Sequence, residues 1–137
     1  MSDIGYQAVL PDGWPRPRGF SHGVIAKGAS QVRIAGQVGT VPGQREVADN
    51  LDFGTQWTRA LANVVAVLGA AGGAPSNLVA LRVYVTRITD FNESGPAVGK
   101  AWMDLLGRHF PAMTLVQVSG LLDPNAMVEI EAEAILG

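Results

Sequence analysis

The stretch Val128-Glu-Ile-Glu-Ala-Glu-Ala134 alternates apolar and acidic residues without a break. Side chains of a β-strand point to opposite faces with a period of two. The segment therefore reads as a strand with Val128, Ile130, Ala132 and Ala134 on one face and Glu129, Glu131 and Glu133 on the other. A chain ending this way must build a sheet with one buried face, and it must also find a use for the charges on the other.

Upstream of this strand, the segment from Phe110 to Ile135 reads as two strands folded about a turn, so a closing hairpin is expected. A second hairpin is suggested by the apolar runs Gly23–Ala26 and Val32–Ala35, split by Lys27-Gly28-Ala29-Ser30. An extra strand is available in Gly5-Tyr-Gln-Ala-Val-Leu10. After a loop punctuated by Pro42-Gly43, Asp49 or Asn50 can cap a helix from Leu51 to Leu68, in which Phe53, Trp57, Leu61, Val64, Val65 and Leu68 recur at helical spacing. The glycines of GAAGGAP and then Pro75 end it. Val79, Leu81, Val83 and Val85 alternate with Arg82, Tyr84 and Thr86, as in a strand. A second helix is expected near Pro96, preceded by Ser94, with Val98, Ala101, Trp102, Leu105 and Leu106 turned to the core.

The order β-β-α-β-α-β-β predicts a single α+β domain over residues 1–137, a mixed sheet with two helices on one face. If the apolar positions go to the helices, the uncovered face carries Arg82, Tyr84, Met113, Leu115, Gln117 and Glu129. Such a mixed surface calls for a partner, and identical copies in a closed homo-oligomer are the commonest one.

Composition narrows the chemistry. The net charge of −2 is scattered, with no basic stripe to neutralise phosphates, so no nucleic-acid partner is expected. The absence of cysteine excludes disulfides, thiolate nucleophiles and cysteine metal sites. No apolar run is long enough to span a bilayer and the N-terminus lacks the pattern of a signal peptide, so a soluble cytoplasmic protein without a membrane partner is expected. His22 and His109 are the only histidines. No acid stands at a spacing that would complete a Ser/His/Asp relay with Ser21, no histidine pair suits a metal, and His109 reads as a cation at a helix C-terminus. GAAGGAP follows a helix instead of opening one, which is the wrong order for a phosphate loop. Glu131 and Glu133 read as a solvated strand face.

Taken together, GFSHGV, AGQVG, RALANVVAVLGAAG, VALRVYVTRITDF and PAMTLVQVSGL followed by VEIEAEA resemble the Rid family, also called YjgF-like or L-PSP proteins, from about Arg18 to Ile135. The resemblance implies a chorismate-mutase-like fold assembled as a homotrimer with clefts at the subunit interfaces. It also implies hydrolysis of enamines and imines to a carbonyl compound and ammonia, without a metal or organic cofactor. Ser21, Gly36, Gln37 and Glu129 match the family pattern, and Glu129 corresponds to the acid associated with the attacking water. Two positions depart from it. Met113, in PAMT, stands where the deaminases carry the arginine of PARS that clamps the substrate carboxylate, and Phe20 replaces a tyrosine. The family asparagine after the DF of the fourth strand falls near Gly95. The resemblance thus makes Glu129 the catalytic candidate; the cleft is then either retuned, with Phe20, Trp102, Met113 and Leu115 as apolar lining and Ser21 and Gln37 as polar contacts, or given a substitute cation, for which strand alternation nominates Arg82. An arginine–carboxylate pair supplies two charge-assisted hydrogen bonds that methionine cannot make. The expected substrate is therefore a larger or less acidic imine or related metabolite, the alternative being a non-catalytic trimeric binder. The acidic balance and the lack of a histidine pair speak against the ribonuclease activity that parts of the family are named for.

Overall fold

The computed structural model describes residues 5–137. In chain order the elements are β1 (Gln7–Val9), β2 (Gly23–Ile25), β3 (Ser30–Val38), α1 (Phe53–Ala70), a single 3-10 turn (Pro75–Asn77), β4 (Leu78–Val85), α2 (Ile88–Glu93), α3 (Gly95–Leu105), β5 (Ala112–Gln117) and β6 (Val128–Leu136). The main sheet has the order β3-β6-β4-β5, with β6 antiparallel to both neighbours and β4 parallel to β5. A parallel pair needs a crossover, which α2 and α3 provide. This is the expected mixed α+β sheet, with both longer helices against one face and β1 present as the extra strand.

The pairings differ from the expected hairpins. β5 and β6 are not neighbours, because β4 lies between them. Pairing with β4 sets Arg82 opposite Glu131, and pairing with β3 sets Arg33 opposite Glu133. Opposite charges directly across a ladder stabilise it, whereas β5 has only the uncharged Ala112, Thr114 and Val116 on that face to offer. β2 likewise pairs with β1 in a separate small sheet, and β3 departs to β6. The link between β2 and β3 runs tightly across the end of β6: a Cβ on Gly28 would stand 2.6 Å from Ile135 Cγ2. That path carries the two strands apart.

Local signals also shift. Asp52, not Asp49 or Asn50, caps α1, its Oδ1 accepting from Thr55 N at 2.8 Å. α2 is a short helix that the sequence reading did not separate from α3. A bulge between Leu78 and Ala80 turns Leu78 inward in place of Val79; Leu81, Val83 and Val85 keep the expected inner face.

The core lies between this face and the helices, where Trp57, Leu61, Val64 and Leu68 of α1 meet Leu81, Val83, Ile130 and Ala132. Inside it sits Gln56, almost wholly buried. Its Nε2 donates to Leu51 O at 3.3 Å and Asn125 O at 3.1 Å, and its Oε1 accepts from Met127 N at 2.8 Å. One side chain thereby ties the entry to α1 to the loop that delivers β6. Gln56→Ala strands these backbone groups, at about 1–3 kcal/mol for each buried group left without a partner. Urea unfolding should show a loss of about 2–4 kcal/mol on the same basis; a loss under about 0.5 kcal/mol would mean the loop is held by something else.

Candidate functional site

Glu129 owes its setting to an irregularity in β3. Between Ile34 and Gln37 the ladder with β6 slips, so Ala35 and Gly36 together face Glu131. Gly36 then lies beneath the Glu129 side chain, where a Cβ would stand 2.7 Å from Glu129 Cδ. Glycine is required there by lack of space, not by its dihedral angles. The Glu129 carboxylate makes no hydrogen bond or ion pair among the described residues. With Gly36, Val38, Arg45, Glu46 and Asp123 it lines an open concavity of about 560 Å³. The rim is braced by Asp123, which accepts from Val47 N at 2.8 Å and Asn125 N at 2.9 Å.

The other two glutamates of β6 are engaged. Arg82 Nη2 lies 3.3 Å from Glu131 Oε2 and 3.2 Å from Glu133 Oε2, Arg33 Nη1 lies 3.1 Å from the same Glu133 oxygen, and the Tyr84 hydroxyl donates to Glu131 Oε1. The hydrogen bond from Tyr84, then the one from Arg82, holds the Glu131 carboxyl below its ordinary value of 4.5, and the same bond raises the Tyr84 hydroxyl. The acidic face of β6 is therefore a bonded network at this end, more than a set of solvated charges.

Met113 is elsewhere. Parallel pairing sets Leu81 beside Met113, Arg82 beside Thr114, Val83 beside Leu115 and Val85 beside Gln117. Met113 and Leu115 thus share the helix face and pack against the core. The expected grouping of Met113, Leu115 and Gln117 with Arg82, Tyr84 and Glu129 is overturned. The alternation of Ala-Met-Thr-Leu-Val-Gln is apolar in both phases, so only the register selects one. Arg82 points to the opposite face and is already paired, so it does not take the place of the missing arginine in this chain.

Met113, Trp102, Trp57, Phe91 and Phe110 wall a small cavity of about 280 Å³ with Arg18 at its edge. Trp102 stacks on Phe110 at 6.1 Å and donates from Nε1 to His109 O at 3.1 Å. His109 does not cap a helix: its Nε2 lies 2.7 Å from Leu78 O at the start of β4. Leu115, two residues beyond Met113, is not part of this wall. Ser21 fastens the N-terminal arm to the same region, donating from Oγ to Phe110 O at 2.6 Å and from N to Pro111 O at 3.2 Å. Phe20 sits with Ser21, Tyr6 and His22 in an adjoining concavity of about 600 Å³. Gln37 lines none of these three spaces; its register partner is Ile130 on the helix face, and its amide returns to Ala35 O at 3.1 Å.

One chain therefore brings Trp102 and Met113 together, sets Phe20 and Ser21 next to them, and holds Glu129 on the far side of the sheet. Sequence reading missed Arg18 and Trp57. Trp57 carried the signal of a helix core residue, which it also is, and nothing local distinguishes an indole that walls a cavity from one that fills a core.

A family model described as endoribonuclease L-PSP matches residues 15–136. A RutC family protein of Pyrococcus horikoshii is 28% identical over 129 residues, 93% of this chain and 96% of its own. The human 2-iminobutanoate/2-iminopropanoate deaminase is 31% identical over 106 residues, 77% of this chain and 73% of its own. Among solved structures, a Rid family protein of unknown function from Yersinia pestis superposes with a TM-score of 0.83 at 29% identity, covering 97% of this chain and 100% of that one. No helix among the described residues is long and apolar enough to cross a membrane.

The Arg82 network has a pH signature. A carboxyl held below its ordinary value contributes stability that is full above the unfolded value and is lost as pH falls through the folded one. Thermal melts from neutral pH downward should therefore show Glu131→Gln less stable than wild type above 4.5, with the gap closing below it. A gap of constant size across that range would remove the charge from the explanation.

Proposed function

Since the chain belongs to the endoribonuclease L-PSP family, which is also called Rid or YjgF-like, we propose that it hydrolyses a reactive imine or enamine to a carbonyl compound and ammonia. The observation that carries this reading is the Glu129 carboxylate, seated over Gly36 with no protein partner among the described residues, on the strand whose other acids are all engaged. The human relative named as an imine deaminase supports it. In this reading Glu129 takes a proton from a water molecule whose oxygen attacks the C=N carbon. The nitrogen is protonated, the resulting carbinolamine breaks its C–N bond, and ammonia leaves with the carbonyl product.

A single chain separates Glu129 from the Met113 cavity by the thickness of the sheet, so one small molecule cannot touch both. A homotrimer that sets the Glu129 concavity of one copy against the Met113 cavity of the next would complete the site, and the uncovered acidic face supports such an assembly. Methionine in the place of the family arginine disfavours small imino acids, whose carboxylate would enter an apolar cavity unpaired. The same substitution is what a non-catalytic trimeric binder would carry.

Ammonia release from imines generated in situ tests the reading. Glu129→Gln should lower kcat by about 100-fold or more, the usual contribution of a positioned acid–base group. Met113→Arg should raise kcat/KM for 2-iminopropionate by about tenfold or more. Full activity of Glu129→Gln would end the assignment. A ligand that raises the melting temperature while no imine yields ammonia would favour the binder.

A further inference from the structure

From Ser30 to Ile34, β3 pairs with β6 as a regular antiparallel ladder, ending with Ile34 opposite Ala132. Continued without a break, that ladder would set Gly36 opposite Ile130 and Gln37 opposite Glu129. The bulge moves everything beyond it by one residue, so that Gln37 stands opposite Ile130 and Val38 opposite Glu129. The regular register would bring a side-chain amide, a hydrogen-bond donor, beside the Glu129 carboxylate. The bulged register brings the apolar Val38, which lines the same concavity as Glu129. The open carboxylate therefore depends on the bulge staying where it is. β3 is an edge strand whose one ladder in the main sheet is with β6, so the sheet by itself offers little to stop a slip.

Beyond the bulge the strand is gripped from the helix layer. Asn63 of α1 is buried, and its Nδ2 donates to Val38 O at 3.0 Å, to Thr40 O at 3.1 Å and to Thr40 Oγ1 at 3.3 Å. Thr40 N also donates to Val38 O, at 2.8 Å, which turns the chain sharply at this point. Gly39, between them, lies so near α1 that a Cβ would stand 2.7 Å from Gln56 Cα. On the other side of the bulge Ile34 is fixed in the core. The surplus residue is thus confined between two anchored points.

We infer that Asn63 is a positioning residue for Glu129. By holding Val38 and Thr40 it keeps the bulge at Ala35 and Gly36, which leaves Gly36 beneath the carboxylate and Gln37 away from it. Asn63 does not line the concavity and acts through the register of β3. The inference rests on the proposed function for the use made of Glu129; the register itself is independent of any reaction.

Asn63→Leu keeps the volume of the side chain and deletes the donor, and Asn63→Ala deletes both, so the test does not hang on the folding of one variant. Cross-strand nuclear Overhauser contacts read the register. Wild type should pair Gln37 with Ile130 and Val38 with Glu129. The variants should lose these pairs and set Gln37 across from Glu129, while Ile34 stays with Ala132. Wild-type pairs at positions 37 and 38 in a folded variant would overturn the inference. Kinetics on 2-iminopropionate generated in situ, at equal concentrations of folded protein, separates positioning from stability alone. Asn63→Leu should lower kcat by about tenfold or more with KM little changed. It should add nothing to Glu129→Gln, because two changes that act through one carboxylate are not additive. A further loss of similar size in the double variant would leave Asn63 a purely structural residue. If the register shifts while wild type releases no ammonia from any imine, the positioning stands and the deaminase reading fails. If Glu129→Gln lowers kcat but the shifted register of Asn63→Leu leaves it unchanged, the reaction stands and the positioning fails.

Discussion

The central position of β6 governs the molecule. Its inner side chains, Val128, Ile130, Ala132 and Ala134, are all essentially inaccessible to solvent beneath the helices. A slip of one residue against either neighbour would exchange them for Glu129, Glu131 and Glu133. Burying three carboxylates without partners costs far more than the net stability of a domain of this size can absorb, so the register has no near competitor. The surrounding polar contacts hold that register at both ends of the strand. Gln56 secures the loop that leads into β6, and Asn77 donates from Nδ2 to Ile135 O at 2.9 Å near its end.

From that register follow the different fates of three glutamates that look alike in sequence. Glu131 and Glu133 meet Arg82, which β4 brings opposite them, and Glu133 also meets Arg33 from β3. Glu129 lies beyond the β3 bulge, where the backbone has turned and Gly36 leaves a gap in place of a partner. The bulge thus separates a structural acid from a chemically available one within a few residues. Such irregularities commonly re-aim a side chain beside a site.

The helix side of the sheet has a different character. β5 is an edge strand, and its inward residues Met113 and Leu115 extend the core instead of presenting charge. A positive charge at 113 would belong to a site for small anions; methionine there, with two tryptophans and two phenylalanines around it, makes the space apolar. The one charged residue in its lining is Arg18. Glu129 and the apolar cavity sit on opposite faces of one sheet, so a single chain does not bring the two together.

The elements themselves were legible in the sequence because their signals are local. The 3.6-residue spacing of Phe53, Trp57, Leu61 and Leu68 marked α1, and the strict alternation from Val128 marked β6 and its two faces. The motifs that resemble the Rid family pointed to Glu129 and to the departure at Met113. Partnership between strands was not legible: β4 between β5 and β6, and β2 with β1, arise from cross-strand charge pairs and chain paths separated by tens of residues. Nor was the phase of β5, since Met113, Leu115 and Gln117 compete with Ala112, Thr114 and Val116 on nearly equal terms until pairing with β4 selects a face. Periodicity tells a residue which neighbours share its side of an element. Only the tertiary structure decides which side meets the core, and with it whether Arg82 or Arg18 stands near Met113.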